Sequence, residues 1–274
     1  MPGKMIWEVC CRSESTLSEV AHTSGFKIQR LTLATGFDMS DKANIGKATR
    51  LADKQPPARV WASCPCTAFS SQQNFNKRNA QQMEALKMKQ NQSRKLVRNV
   101  ISVMVHCLKQ HDADLYFEWP ANSHGWSIDE LKTFHKECAQ AGKPLSHVLV
   151  LGCRLGLKTT TRKKRLLKRW KILTTDELFV QRMGKYSHCT HMAEEHAVIQ
   201  GKETVHSGMY PRKMCQQIVR AWKKAPGGSG SDSSLDSSSS SSIRSSSSPG
   251  HTSSSSSSSS SSRPYYSCSS SSST

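Results

Sequence analysis

Cys66 and Glu118 are the residues of this chain whose types and positions suit covalent chemistry. Cys66 lies in Ala62-Ser63-Cys64-Pro65-Cys66-Thr67-Ala68-Phe69-Ser70, directly after the apolar run Ala58-Arg59-Val60-Trp61. Glu118 closes Leu115-Tyr116-Phe117-Glu118, ahead of Trp119-Pro120. A thiol in a turn beyond a strand end can face a ligand, and local dipoles and cations tune its reactivity. A carboxyl among aromatic neighbours is pushed toward protonation, so it can donate a proton near neutral pH. Together they supply a nucleophile and an acid partner. The alternatives are plainer: a cysteine is often a small buried hydrophobe, Cys-Pro-Cys can hold a metal, and a glutamate can pair with a cation or cap a loop.

A second group is Cys189-x-His191 followed by His196, three borderline-soft ligands within eight positions. His188, Cys153, His206 or Cys215 would complete a tetrahedral zinc site bracing a loop-rich segment, with separate surface histidines as the alternative. A third is the basic run Thr161-Arg162-Lys163-Lys164-Arg165-Leu166-Leu167-Lys168-Arg169-Trp170-Lys171. It could neutralise several phosphates, act as a nuclear import signal, or form a solvated loop. The whole chain carries 39 Lys+Arg against 20 Asp+Glu, a formal charge of +19, which favours an anionic partner such as nucleic acid over a neutral metabolite. Ribosomal or chromatin scaffolding would account for the charge equally well.

The elements that must position these groups alternate in type. Met5 to Cys10 reads as a strand and Thr16 to Ser24 as a helix stopped by Gly25. Phe26 to Leu33 is a second strand, and Asp41 to Lys54 a second helix. Arg59 to Ala62 is the strand before Cys66, Ala80 to Gln110 a long helix, and Leu115 to Glu118 the strand ending in the carboxylate. Ser127 to Ala141 reads as a helix with Ser127 as N-cap and Glu130 three residues on. His147 to Leu151 has the apolar content of a fully buried strand. Trp170 to Leu173 should run antiparallel beside it, because the polar link between them is too short for a crossover helix. Gly184 to Met209 has loop composition, and Pro211 to Lys224 closes as a helix. The expected architecture is α/β and Rossmann-like, a mostly parallel sheet with active groups at its strand ends. It divides into an α/β domain over 1–180, a Cys/His loop and final helix packed on it over 181–225, and a serine-rich tail over 226–274 expected to be disordered. The N-terminus lacks the apolar run of a signal peptide, and no segment approaches a membrane span. The expectation is an intracellular protein, nuclear or cytoplasmic and not secreted, whose ten cysteines are free, catalytic or metal-bound rather than paired in disulfides.

This order of elements, with Pro65-Cys66, Phe69-Ser70 and Phe117-Glu118, resembles the cytosine-C5 DNA methyltransferases, which are class I S-adenosylmethionine-dependent enzymes. The resemblance covers roughly Met5 to Thr175. It implies that the cysteine adds to C6 of a flipped-out cytosine while the glutamate holds N3. By the same resemblance, Arg162 and Arg165 would position the base, and Glu8, Cys10, Asp38 and Pro65 would contact the cofactor. Trp119 stands where the family has asparagine. The family's glycine-rich turn is Glu8-Val9-Cys10-Cys11-Arg12-Ser13-Glu14-Ser15 here, without glycine, so weak cofactor binding is expected unless Glu8 and Asp38 compensate. The pattern also resembles uncharacterised segments of retrotransposon polyproteins. The leading expectation is therefore nucleic-acid methyl transfer, with DNA ahead of RNA as target. A catalytically inactive, mobile-element-derived nucleic-acid binder is the alternative, and a zinc-braced interaction module the third.

Overall fold

Short apolar runs and amphipathic runs alternate as βα units in the computed structural model, which describes residues 3–74, 79–161 and 163–223. Arg162 and the serine-rich tail lie outside the described residues. In chain order the elements are β1 (Met5–Val9), α1 (Thr16–Thr23), β2 (Lys27–Leu31), α2 (Lys42–Lys54), β3 (Arg59–Ala62), α3 (Ala80–His111) and β4 (Asp114–Pro120). There follow α4 (Asp129–Gln140), β5 (Ser146–Leu151), β6 (Arg165–Leu166), β7 (Arg169–Thr174), α5 (Glu177–Gly184), β8 (His196–Ala197), α6 (Lys202–His206) and α7 (Arg212–Lys223). Local chemistry sets most starts. The Ser15 hydroxyl accepts from the Ser18 N–H at 3.2 Å to cap α1, and the Asp41 carboxylate accepts from the Ala43 N–H at 3.0 Å to cap α2. Asn79 and Gln82 close a reciprocal capping box on α3.

The main sheet has the order β2-β1-β3-β4-β7-β5, with β7 alone antiparallel to its neighbours. β7 lies beside β5 as expected, but it also inserts between β4 and β5, a placement with no local signal. Register aligns Val9 with Ala62 and Ala62 with Phe117. One residue further along, Cys10, Ser63 and Glu118 therefore share the carboxyl edge. Chain order reverses around β1, which places a topological switch point between β1 and β3 at that edge.

Alternation along the strands divides the core in two. Trp7, Val9, Val60, Ala62, Leu115 and Phe117 face the layer that includes α2, α3 and α4, while Ile6, Trp61 and Tyr116 face the layer of α1, α5 and α7. The C-terminal segment contributes to this core, since Met214, Ile218, Val219 and Trp222 of α7 are buried beside Leu17 and Phe26. The described residues fall in one compact unit.

Several boundaries differ from expectation. Ser127 is not the N-cap of α4: its hydroxyl donates to the His124 carbonyl at 2.9 Å, closing a preceding turn, and Ile128 holds the cap position without a side-chain bond. β5 is an edge strand, and His147 and Leu149 are exposed, so it is not buried on both faces. The Gly184 to Met209 stretch contains β8 and α6, and α5 starts at an Asp176 cap that accepts from the Phe179 N–H at 3.0 Å.

Gly125 allows the close approach of Trp119, whose indole donates to the Cys64 carbonyl at 2.6 Å. A Cβ there would sit 2.2 Å from the Trp119 ring. Gly125→Ala should therefore cost about 1–3 kcal/mol by overpacking, read as a lowered urea midpoint. An unchanged midpoint would mean that the ring is free to move.

Candidate functional site at the carboxyl edge of the sheet

The turns after β1, β3 and β4 open onto a cavity of about 1140 Å³, lined among others by Glu8, Cys10, Cys66, Glu118, Lys168 and Tyr210. Sites for small molecules usually span about 300–1,000 Å³, so this space can take more than one compact ligand.

Glu118 is 6% exposed, and its carboxylate accepts a hydrogen bond from the Tyr210 hydroxyl. That hydroxyl also meets Ser63 Oγ at 2.8 Å, while Trp61 Nε1 donates to Ser63 Oγ at 3.0 Å. Burial pushes Glu118 up to about 7, against the opposing effects of the Tyr210 bond and the Lys168 charge. The carboxyl is thus about half protonated near neutral pH. Burial also raises the Tyr210 phenol well above its ordinary value, with Glu118 reinforcing it, so the hydroxyl stays a donor.

Cys66 is half-buried, and burial raises its thiol, with the Glu118 charge reinforcing the rise and Lys168 opposing it. It rests as a thiol at neutral pH, and protonation of Glu118 removes one of the two raising influences. Cys64 is buried, and its thiol is raised first by a hydrogen bond with Cys10 and then by burial. Among the described residues neither Cys64 nor Cys66 belongs to a cluster of metal-ligating groups.

At β1 the turn without glycine adopts glycine-like backbone: Cys10 has φ of 60°. A non-glycine residue in this region is a strained position of the kind concentrated at functional sites. Glu8, 3% exposed, already accepts from Ser15 Oγ at 2.7 Å and from Ser18 Oγ, and burial raises its carboxyl.

The other expected residues divide. Pro65 lines the cavity, and Asp38 does not. One Asp38 oxygen accepts from the Ser40 N–H at 2.8 Å and hydroxyl at 2.6 Å, and these bonds hold it below its ordinary value. Arg165 lies on β6 and pairs with Glu195 at 3.3 Å, away from the cavity lining. Arg162 lies outside the described residues. Lys168 and Arg169 of the same basic run line the cavity instead. Sequence reasoning misses Tyr210 and Ser63, because neither stands in a pattern with chemical spacing.

Cys189, His191 and His196 come together, with Cys153 from the turn after β5 as the fourth member, their ligand atoms all within 4.8 Å of one another. The other three candidates are occupied elsewhere. His188 Nδ1 meets Ser187 Oγ at 2.8 Å, His206 Nε2 meets the Lys158 carbonyl at 3.0 Å, and Cys215 is buried on α7.

Fold and site thus define a mixed α/β protein with a six-stranded, mostly parallel sheet whose strand ends converge on one cavity. No described helix is long and apolar enough to cross a membrane. No protein-family model matches the chain, and no curated protein sequence matches it. Among solved structures it is similar to a mutant of DNMT2 from Spodoptera frugiperda, at 11% identity and a TM-score of 0.34. That match covers 63% of this chain and 50% of the other, so the chain spans half the length of that structure.

Proposed function

We propose that the chain is a class I methyltransferase-like protein acting on nucleic acid, with Cys66 as nucleophile toward C6 of a flipped-out cytosine and Glu118 as proton donor to N3. The observation that carries this reading is the shared cavity of Cys66 and Glu118 at the ends of adjacent parallel strands, with the carboxyl held near 7. As the S–C6 bond forms, the thiol proton leaves to solvent in the cavity, the C5–C6 electron pair shifts to make C4=C5, and the displaced C4=N3 pair takes the Glu118 proton at N3. Tyr210 holds the carboxyl in place, and the Lys168 charge favours the thiolate. The strand order supports the same class, since β7 is the antiparallel strand inserted next to the edge.

S-adenosylmethionine, when bound, supplies the methyl group. The left-handed turn at Cys10 and the cavity volume fit it, and Cys10 and Pro65 would hold it by backbone and side-chain contacts. The Glu8 carboxylate, already bonded to two hydroxyls, and the distant Asp38 fit it less well. Those bonds favour a second reading, a nucleic-acid binder that keeps the fold without turnover.

Calorimetric titration of the full chain with S-adenosylmethionine separates the two. Heat of binding at one site per chain is the expected result for the enzyme. Its absence, together with salt-dependent DNA binding, selects the binder. In either case Lys168→Ala with Arg169→Ala should lower the slope of log affinity against log salt by about one for each phosphate no longer neutralised. An unchanged slope would locate the nucleic-acid surface elsewhere.

A further inference from the structure

We propose that Cys153, Cys189, His191 and His196 bind one structural zinc ion, and that this ion fixes the segment that walls the cavity and carries Tyr210. The proposal is independent of the methyl-transfer reading. With Zn–S near 2.3 Å and Zn–N near 2.05 Å, a tetrahedral ion sets its sulfurs about 3.8 Å apart and each sulfur–nitrogen pair about 3.6 Å apart. Here Cys153 Sγ and Cys189 Sγ are 3.6 Å apart, and Cys189 Sγ lies 3.5 Å from both His191 Nδ1 and His196 Nε2. These are edges of such a tetrahedron. A disulfide requires a separation of about 2.05 Å and involves no histidine, so it accounts for neither the sulfur spacing nor the convergence of the rings.

The outer contacts agree. His196 Nδ1 meets the Met192 carbonyl at 3.0 Å, which assigns the proton to Nδ1 and leaves Nε2 free to ligate. Two thiolates and two imidazoles form a closed, borderline-soft set that suits zinc and leaves no open position for substrate. The second cluster of potential ligands, Asp53 with His106 and His111, differs in kind. There one carboxylate oxygen is shared by both rings at 2.8 and 3.0 Å, so hydrogen bonding already closes it.

The four ligands come from two segments 36 residues apart, the turn after β5 and the stretch from Cys189 to His196. His196 opens β8, which pairs with β6 through Arg165↔His196 and Leu166↔Ala197. Beyond β8, Ile199, Val205 and Tyr210 line the cavity. An ion at the four-residue cluster therefore anchors the start of the segment whose end holds Glu118.

The test uses the full chain purified from zinc-supplemented medium. Elemental analysis should find one zinc per chain, lost in Cys189→Ala and in His196→Ala and retained in His188→Ala. Because these variants could misfold, cobalt(II) exchanged into the wild-type chain provides a second readout. It should give the visible absorption of a four-coordinate ion with thiolate charge transfer. Chelation should also speed amide exchange from Ser187 through Tyr210, since a structural ion contributes its binding energy to folding. Metal-free protein, a six-coordinate cobalt spectrum, or loss of metal in His188→Ala would overturn the site. Unchanged exchange at Tyr210 on chelation would overturn its link to the cavity.

Discussion

Cys66→Ala should abolish the covalent adduct between this chain and DNA containing a cytosine analogue blocked at C5. In the proposed reaction sulfur would join C6, and the blocked C5 would prevent the elimination that releases the enzyme, so a denaturant-resistant complex should accumulate. Alanine has no sulfur, and adduct yield should fall to background. The loss should be specific. Cys64→Ala should leave the adduct in place, because Cys64 is buried and its thiol is tied to Cys10. Glu118→Gln should slow adduct formation by about 10²–10⁴-fold, the usual contribution of a positioned proton donor. Adduct persisting in Cys66→Ala would move the nucleophile to another thiol at the cavity, with Cys10 and Cys11 next in line, and would end the role given to Cys66.

The second large effect is on stability and its dependence on pH. Burial raises Glu118 from an ordinary 4.5 to about 7 in the folded chain. Below about 4.5 the carboxyl is protonated in both folded and unfolded states, and its contribution is at its most favourable. Between 4.5 and 7 the unfolded chain releases the proton while the folded chain retains it, so stability falls as pH rises. Above 7 the loss levels off at about 3 kcal/mol, given 1.36 kcal/mol per pKa unit. Glu118→Gln removes the titration while keeping an acceptor for the Tyr210 hydroxyl. The variant should match the wild type in urea midpoint at pH 4 and exceed it at pH 8. Glu8 and Asp114, whose carboxyls burial also raises, titrate in both proteins, so the difference between the two curves isolates Glu118. Parallel curves would mean that the carboxyl is solvated in solution.

Much of this protein was legible in the sequence where the determining physics is local. Arg59 to Ala62 and Trp170 to Leu173 are strands because short apolar runs bounded by polar turns bury on a sheet. Cys66 and Glu118 reach the same edge because Cys66 lies in the turn after β3 and Glu118 near the end of β4, and parallel strands present their ends together. The antiparallel course of β7 agrees with a polar, basic link that offers no buried face for a crossover helix.

What only the tertiary structure decided depends on contacts between residues far apart in the chain. The Tyr210 hydroxyl meets Glu118 across 92 positions, and Cys153 meets Cys189 across 36. No periodicity or spacing links such pairs. The basic run shows the limit most clearly: its composition announces charge, but the pairing of β6 with β8 and of β7 with β4 and β5 decides that Arg165 faces Glu195 while Lys168 lines the cavity. The backbone at Cys10 is a second case, since residue type argues against a left-handed turn that the chain nevertheless adopts. Sequence periodicity sets which face of an element is buried, because burying apolar surface needs only the element's own pattern. Which side chains then meet at the strand ends is set by how the finished layers pack, and that is a property of the whole fold.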